Sequence, residues 1–245
     1  MALLFQRATP NDASAIVQLL ALVWPHQPAN PDQVATALAP PGHATYLATC
    51  QDQAVGLVSG FPTVSVAGEI RWEIDLLAVH PAYRGQQIGR RLVQCSTAAG
   101  RAAQARVARA LIASDNHASQ RTIAMVGYHM QPEEMTLYVT APHRSAHPAT
   151  GAPIHLIPVQ TLTYSGAWLE GAVTTEAVQE ACARQAAHGW STLGTLVPQQ
   201  QVQFHGIVQH SGFACIGRYH WWIKPYELRD DPAATPGCHH GRPAT

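Results

Sequence analysis

The chain is short of charge. It carries 15 basic and 15 acidic side chains among 245 residues, so 12% of positions are charged and the formal net charge is zero. So thin and balanced a supply excludes an electrostatic grip on a nucleic-acid backbone or an anionic membrane as the chain's main role. Cysteine is sparse as well. The five thiols, Cys50, Cys95, Cys182, Cys215 and Cys238, are odd in number and form no C-x-x-C pair. This argues against a disulfide framework or a structural zinc site and fits reduced thiols in a cytosol. No uninterrupted apolar run approaches the about 18 residues of a membrane span, and the opening Met1-Ala-Leu-Leu-Phe lacks the basic start and long apolar core of a secretion signal. A cytoplasmic location, with neither nucleic acid nor membrane as partner, is therefore expected. What the chain has in quantity is apolar surface, 47% of residues, ample for one large domain or two small ones.

Periodicity gives an order of elements. Leu3–Thr9 has a strand pattern, and Pro10-Asn11-Asp12 supplies a turn and a helix start. "ASAIVQLLALVW" follows with Ile16, Leu19, Leu20 and Val23 on one helical stripe. Asp32–Leu38 is a second short helix. "ATYLATCQ" and "AVGLVSGFPTV" form a hairpin, and "WEIDLLAV" is a fourth strand. Helix, strand, helix and strand then alternate through "QIGRRLVQCSTAAGRAAQA", "VARALIAS", "ASQRTIAMVGY" and "EMTLYVT". The stretch 146–153 is Pro- and Ala-rich and marks a linker between a first domain, 1–145, and a second unit, 154–226. Residues 227–245 lack periodicity and are expected to be disordered. Their Cys238-His239-His240 could hold a metal only adventitiously, and no metal is expected in function.

The most informative stretch is "LLAVHPAYRGQQIGRRLV", residues 76–93. A strand-loop-helix of this kind offers unpaired backbone N–H groups at the helix's positive end. Gly85 and Gly89 remove side chains where a phosphate would have to come close, and Arg84 and Arg90 add matching charge. An ordinary tight turn uses the same glycines, so on residue chemistry alone both uses stay open.

The order strand, V-x-P-x-x-R-G-x-x-I-G-x-x-L, helix, strand, N-x-x-S, helix, G-Y resembles the GNAT superfamily of N-acetyltransferases over residues 3–140. "VHPAYRGQQIGRRLV" is similar to its acyl-CoA loop, and "SDNHASQRTIAMVGYHM" to its later asparagine-to-aromatic segment. The resemblance implies an α/β fold with a mixed sheet and acetyl-CoA as co-substrate. It implies that Leu77, Ala78 and Val79 meet the pantetheine arm where the fourth and fifth strands part. Arg84, Gly85, Gln86, Gln87, Ile88, Gly89 and Arg90 would wrap the pyrophosphate, with Asn116 near the thioester. Gln87 stands where the family usually has a glycine, which matters only if that position needs a positive φ.

Acetyl transfer to an amine needs a base, donors for the oxyanion and a proton for the leaving thiolate. Glu73 and Asp75 share one face of the fourth strand. By position Glu73 matches the family's catalytic glutamate; pairing with Arg71 is the structural alternative. The acid is missing, because Ile123 occupies the position where many members carry a tyrosine, and Tyr128 has the place of a core aromatic. A direct ternary mechanism is expected, with a small-molecule or peptide amine as acceptor and a homodimer left open. The rival is an inactive acyl-CoA-binding sensor or assembly subunit. A plain dinucleotide-binding domain is disfavoured because no G-x-G-x-x-G is present.

Shifted by 85 residues, the chain meets its own pattern, so that 73–130 aligns on 158–215 without a gap and Gly127-Tyr128 falls on Gly212-Phe213. This points to a degenerate GNAT-like half-domain; an unrelated β-α-β-α-β extension is the alternative. In this alignment Leu169 and Glu170 replace Arg84 and Gly85, so the second unit should not bind CoA. It is expected to pack on the first unit, or on a second chain, and to help form the acceptor pocket. Trp221 and Trp222, adjacent on a strand, should face opposite sides.

Overall fold

The computed structural model describes residues 2–27, 29–40, 42–141 and 149–227. Most of the expected tail, with Cys238-His239-His240, and the start of the expected linker lie outside the described residues.

The first unit follows the expected order: β1 (Leu4–Arg7), α1 (Ala13–Val23), α2 (Pro31–Leu38), β2 (Ala44–Cys50), β3 (Gln53–Val64), β4 (Ile70–Val79), α3 (Ile88–Ala102), β5 (Val107–Ala113), α4 (His117–Ala124) and β6 (His129–Thr140). Local chemistry sets the starts. Asp12 accepts from the backbone N–H of Thr9 at 2.7 Å, while Asn30 Oδ1 accepts from Asp32 N at 2.8 Å ahead of Pro31, which needs no acceptor. The second unit contributes β7 (His155–Gln160), β8 (Ser165–Glu170), α5 (Thr175–His188), β9 (Thr192–Pro198), α6 (Val202–His210) and β10 (Ala214–Pro225).

All ten strands join one mixed sheet in the order β1-β2-β3-β4-β5-β10-β6-β9-β8-β7. The last strand of each unit has crossed to the other. β10 lies antiparallel to β5, β6 lies antiparallel to β9, and β6 and β10 pair with each other in the middle. The cores are exchanged accordingly. Tyr138 of β6 is buried in the cluster under α5 and α6, its hydroxyl 2.9 Å from His205 Nδ1. Trp222 of β10 and the following Tyr226 pack into the first unit's core with Trp72 and Leu92. Trp221 points the other way, under the Arg109 guanidinium at 4.0 Å, so the two tryptophans do face opposite sides.

The sheet curls until its β7 end reaches β3 and β4. His155 Nε2 of β7 lies 3.0 Å from the Val64 carbonyl of β3, and Arg71 of β4 donates to Glu170 of β8 at 2.7 Å. The second unit therefore covers the face of β4 that α3 leaves free.

The internal repeat holds in part. From β5 to β6 and from β9 to β10 the offset is 85 residues, as aligned. Ahead of that it fails. β8, not β7, is the parallel neighbour corresponding to β4, as Trp72 opposite Ala108 and Ala167 opposite Leu193 show. Leu169 and Glu170 are thus strand residues rather than counterparts of Arg84 and Gly85. The second unit has no equivalent loop: Gly171–Thr174 alone connects β8 to α5, against His80–Gln87 between β4 and α3. An alignment without gaps could not register that shortening.

Cys50 and Cys182 are buried free thiols and Cys215 an exposed one. No described helix is long and apolar enough to cross a membrane.

Candidate functional site

The site begins as a fork. β4 and β5 pair in parallel from Arg71–Val107 to Ile74–Ala110 and no further, although β4 runs on to Val79. The parting coincides with a β-bulge. Opposite β3, Ile74 faces Gly60 and Leu76 faces Ser59, which leaves Asp75 as the extra residue. The bulge reverses which side chains face where. Before it, Trp72 and Ile74 point into the α3 core; after it, Leu77 and Val79 do so, while Leu76 and Ala78 turn to the α1–α2 core. On the β5 side, the backbone of β4 beyond Ile74 is left without a strand partner.

Past β4 the chain makes a 3-10 turn over Pro81–Tyr83, held by the His80 ring accepting from Ala82 N at 3.1 Å. It then enters α3 through two left-handed residues, Gly85 at φ 79° and Gln87 at φ 58°. Gln87 therefore does occupy a position that favours glycine, and the departure noted in the sequence carries a backbone cost. Arg91 is the first residue whose amide finds an acceptor at the helix start, Gln87 O at 3.1 Å. The preceding amides are open, as at any helix N-terminus. Around Gly85 a side chain would meet nothing within 4 Å, whereas at Gly89 a Cβ would come within 3.3 Å of Thr122 on α4. Gly85 keeps the loop clear, and Gly89 lets α3 and α4 close together.

Fork and loop open into one groove of about 800 Å³ between α3, α4 and the end of α1. It brings together Leu77, Val79, Arg84, Gly85, Gln87, Ile88, Gly89, Arg90 and Asn116. Ala78 is not among them: its side chain is buried toward α1, on the other face. Gln86 is exposed and does not line the groove. Asn116 caps α4, accepting from Ser119 N at 3.1 Å. The groove also contains Trp24 from the end of α1 and Arg121 from α4, both missed from sequence. Arg121 was legible in the helical spacing of Ala118, Arg121, Thr122 and Met125 on one face. Trp24 was not, because its approach depends on how α1 packs. Arg90 Nε is shielded from solvent and has no hydrogen-bond partner among the described residues. That orphaned donor, the open amides and the clear space at Gly85 fit an anionic, phosphate-bearing ligand.

Beyond the fork, on the face covered by the second unit, lie the acidic groups. Glu73 is not free. Arg109 Nε donates to its two oxygens at 2.9 and 2.8 Å, Thr63 Oγ1 donates at 2.5 Å, and Arg71 Nε lies 3.6 Å away. Arg71 and Arg109 are shared with Glu170, at 2.7 and 3.5 Å. Burial pushes the Glu170 carboxyl up, but the hydrogen bond and charge of Arg71, with the charge of Arg109, outweigh it and leave it below the usual range. Asp75 differs. Burial, and then the charge of Glu73, raise its carboxyl to about 7. Tyr164, from the turn joining β7 and β8, accepts from Trp168 Nε1 at 3.1 Å. Its phenol is held well above its ordinary value by burial first and then by the charge of Asp75. Ile123 is buried in the core, as is Tyr128, whose hydroxyl is 2.8 Å from Thr97 Oγ1; neither offers a proton to the groove.

Comparison with known proteins agrees with this geometry. A search of curated protein sequences returned no match. Among solved structures, the chain superposes on a GCN5-related N-acetyltransferase from Sphaerobacter thermophilus with a TM-score of 0.60 at 14% identity, covering 91% of this chain and 95% of that one. It superposes on a tandem GNAT protein from the clavulanic acid biosynthesis pathway with a TM-score of 0.58 at 15% identity, covering 94% and 100%. At such identities the likeness is one of fold. The sequence profile of the Acetyltransferase (GNAT) family matches residues 13–144, more than half the chain and the whole of the fork, loop and groove; the chain belongs to the GNAT acetyltransferase family.

Proposed function

We propose that the protein transfers an acetyl group from acetyl-CoA to the amine of a small molecule by direct attack in a ternary complex. The single observation that carries this is the groove, in which a strand fork, an arginine-flanked glycine loop and a helix N-terminus share one space. In it, the amides from Gln86 to Arg90 and the side chains of Arg84 and Arg90 would hold the pyrophosphate. The unpaired β4 backbone at Leu77 and Val79 would bond the pantetheine arm as an added strand does. Amide N–H groups at the fork would meet the developing oxyanion. Arg121 adds a further cation for the phosphates.

The acceptor must approach the fork from the side opposite α3. Leu162, in the turn Thr161–Tyr164, is buried among the α1–α2 core residues, so the second unit roofs that side. A roofed approach favours a small amine over a peptide terminus or a protein lysine. Thiol release from acetyl-CoA across a panel of small amines and short peptides tests this. Turnover with small amines is expected. Acetyl-CoA binding without turnover on any acceptor would favour the inactive sensor instead. Arg84→Ala should weaken acetyl-CoA binding about 10-fold in calorimetry, the loss of one charge-assisted phosphate contact; an unchanged Kd would remove Arg84 from the site.

A further inference from the structure

Resting on the acetyltransferase function above, we infer that Asp75, the bulged residue at the fork, is the group that takes the acceptor's proton, in place of Glu73. Three observations converge on it. First, Asp75 is the first residue of β4 beyond its pairing with β5, at the point where a thioester reaching through the fork would present its carbonyl. Second, Asp75 acts electrostatically on Tyr164 of the β7–β8 turn, so it lies on the side that the second unit reaches. Third, the neighbouring carboxylate is already committed: Glu73 accepts from Arg109 through both oxygens and from Thr63. Both of its oxygens are thus already engaged by donors. Among the described residues no cation pairs with Asp75. The charged and titratable groups that act on it are Glu73, on its own strand, and Tyr164 from the β7–β8 turn. Its raised pKa, about 7, is the consequence of this setting and suits a base that works near neutral pH.

The step balances without a further reactant. The amine lone pair forms the N–C bond to the thioester carbonyl, and one N–H proton passes to the Asp75 carboxylate. The C–S bond breaks as the tetrahedral centre collapses, and the thiolate leaves. The proton on Asp75 then returns to the thiolate or to solvent, which restores the carboxylate. The role depends on the second unit, which brings Tyr164 into the neighbourhood of Asp75.

The test compares Asp75→Asn and Asp75→Glu with the unmodified full chain, using acetyl-CoA and whichever amine the panel finds to be turned over. For Asp75→Asn, kcat is expected to fall by about 10²–10⁴-fold with acetyl-CoA Kd unchanged. The limb of the kcat–pH profile that rises through about pH 7 should vanish. Asp75→Glu, which keeps a carboxylate, should retain a limb at a shifted pH. An Asp75→Asn protein that keeps its kcat within about fivefold, or keeps the limb, would overturn the assignment while leaving the acetyltransferase function intact. Failure of the unmodified chain to turn over any amine would sink the function itself, and this role with it.

Discussion

Gln87 adopts φ 58°, a left-handed conformation that costs a residue with a Cβ about 1 kcal/mol or more. Gln87→Gly should therefore raise stability by roughly 1 kcal/mol in urea unfolding. It should leave the acetyl-CoA Kd equal or lower, since the loop's amides keep their places. Glu73 is the opposite case. Its carboxylate neutralises two arginines whose side chains are only 10% and 15% exposed. Glu73→Gln leaves Glu170 alone to balance both guanidinium charges and should cost on the order of 3 kcal/mol, again in urea. The sign at Asp75 is reversed. Its folded pKa is raised from 3.8 to about 7, so its own contribution to stability is full below about pH 4 and is lost as pH rises through about 7. Asp75→Asn should consequently raise Tm at pH 8 while lowering kcat, a combination that marks strain kept for function. At this scale the sequence disclosed which residues were unusual, a glutamine in a glycine's place and two carboxylates in an apolar strand. It did not disclose their partners. Arg109 is 36 positions from Glu73 and Tyr164 is on another unit, and nothing local records such proximity.

Element by element, helices and strands of the first unit were legible, because apolar period, caps and turn residues are local signals. Where each strand would lie was not. β6 and β10 are both long strands that follow a helix and a glycine-aromatic pair, and each could pair with the β5-like strand of its own unit or of the other. The structure exchanges them, and the exchange is sealed by distant contacts such as Tyr138 with His205 and Tyr226 with the Thr97 carbonyl at 2.7 Å. A chain ending near residue 150 would lose β10 and expose the edges of β5 and β6 that it pairs. Such a chain is expected to aggregate and to show no cooperative unfolding by circular dichroism. A soluble, fully active one would show that the second unit is dispensable. The bulge at Asp75 was equally hidden. After Asp75 the fourth strand is apolar throughout, Leu76-Leu77-Ala78-Val79, so its sequence assigns no face there, and only pairing with β3 shows the extra residue.

As a whole molecule, the protein is a tandem of unequal halves built on one sheet. Because the central pair takes one strand from each half, neither half can unfold without stripping the other of a neighbour. Tryptophan fluorescence and far-UV circular dichroism should therefore report one coincident urea transition; Trp72 and Trp168 lie in different halves. The halves are unequal in chemistry for a reason of length. β4 continues past its pairing and a glycine loop follows, while β8 ends one residue after its last pair with β9, so the fork-and-loop groove belongs to the first half. The sequence by itself determined the family, the order of elements and the glycine loop after the fourth strand, because these rest on periodicity, caps and glycines acting within a few residues. Only the tertiary structure decided which carboxylate is tied to arginine and which stands at the fork, and where the second unit lies. Those outcomes depend on strand pairing and burial between segments up to 129 residues apart, where sequence order fixes no distance.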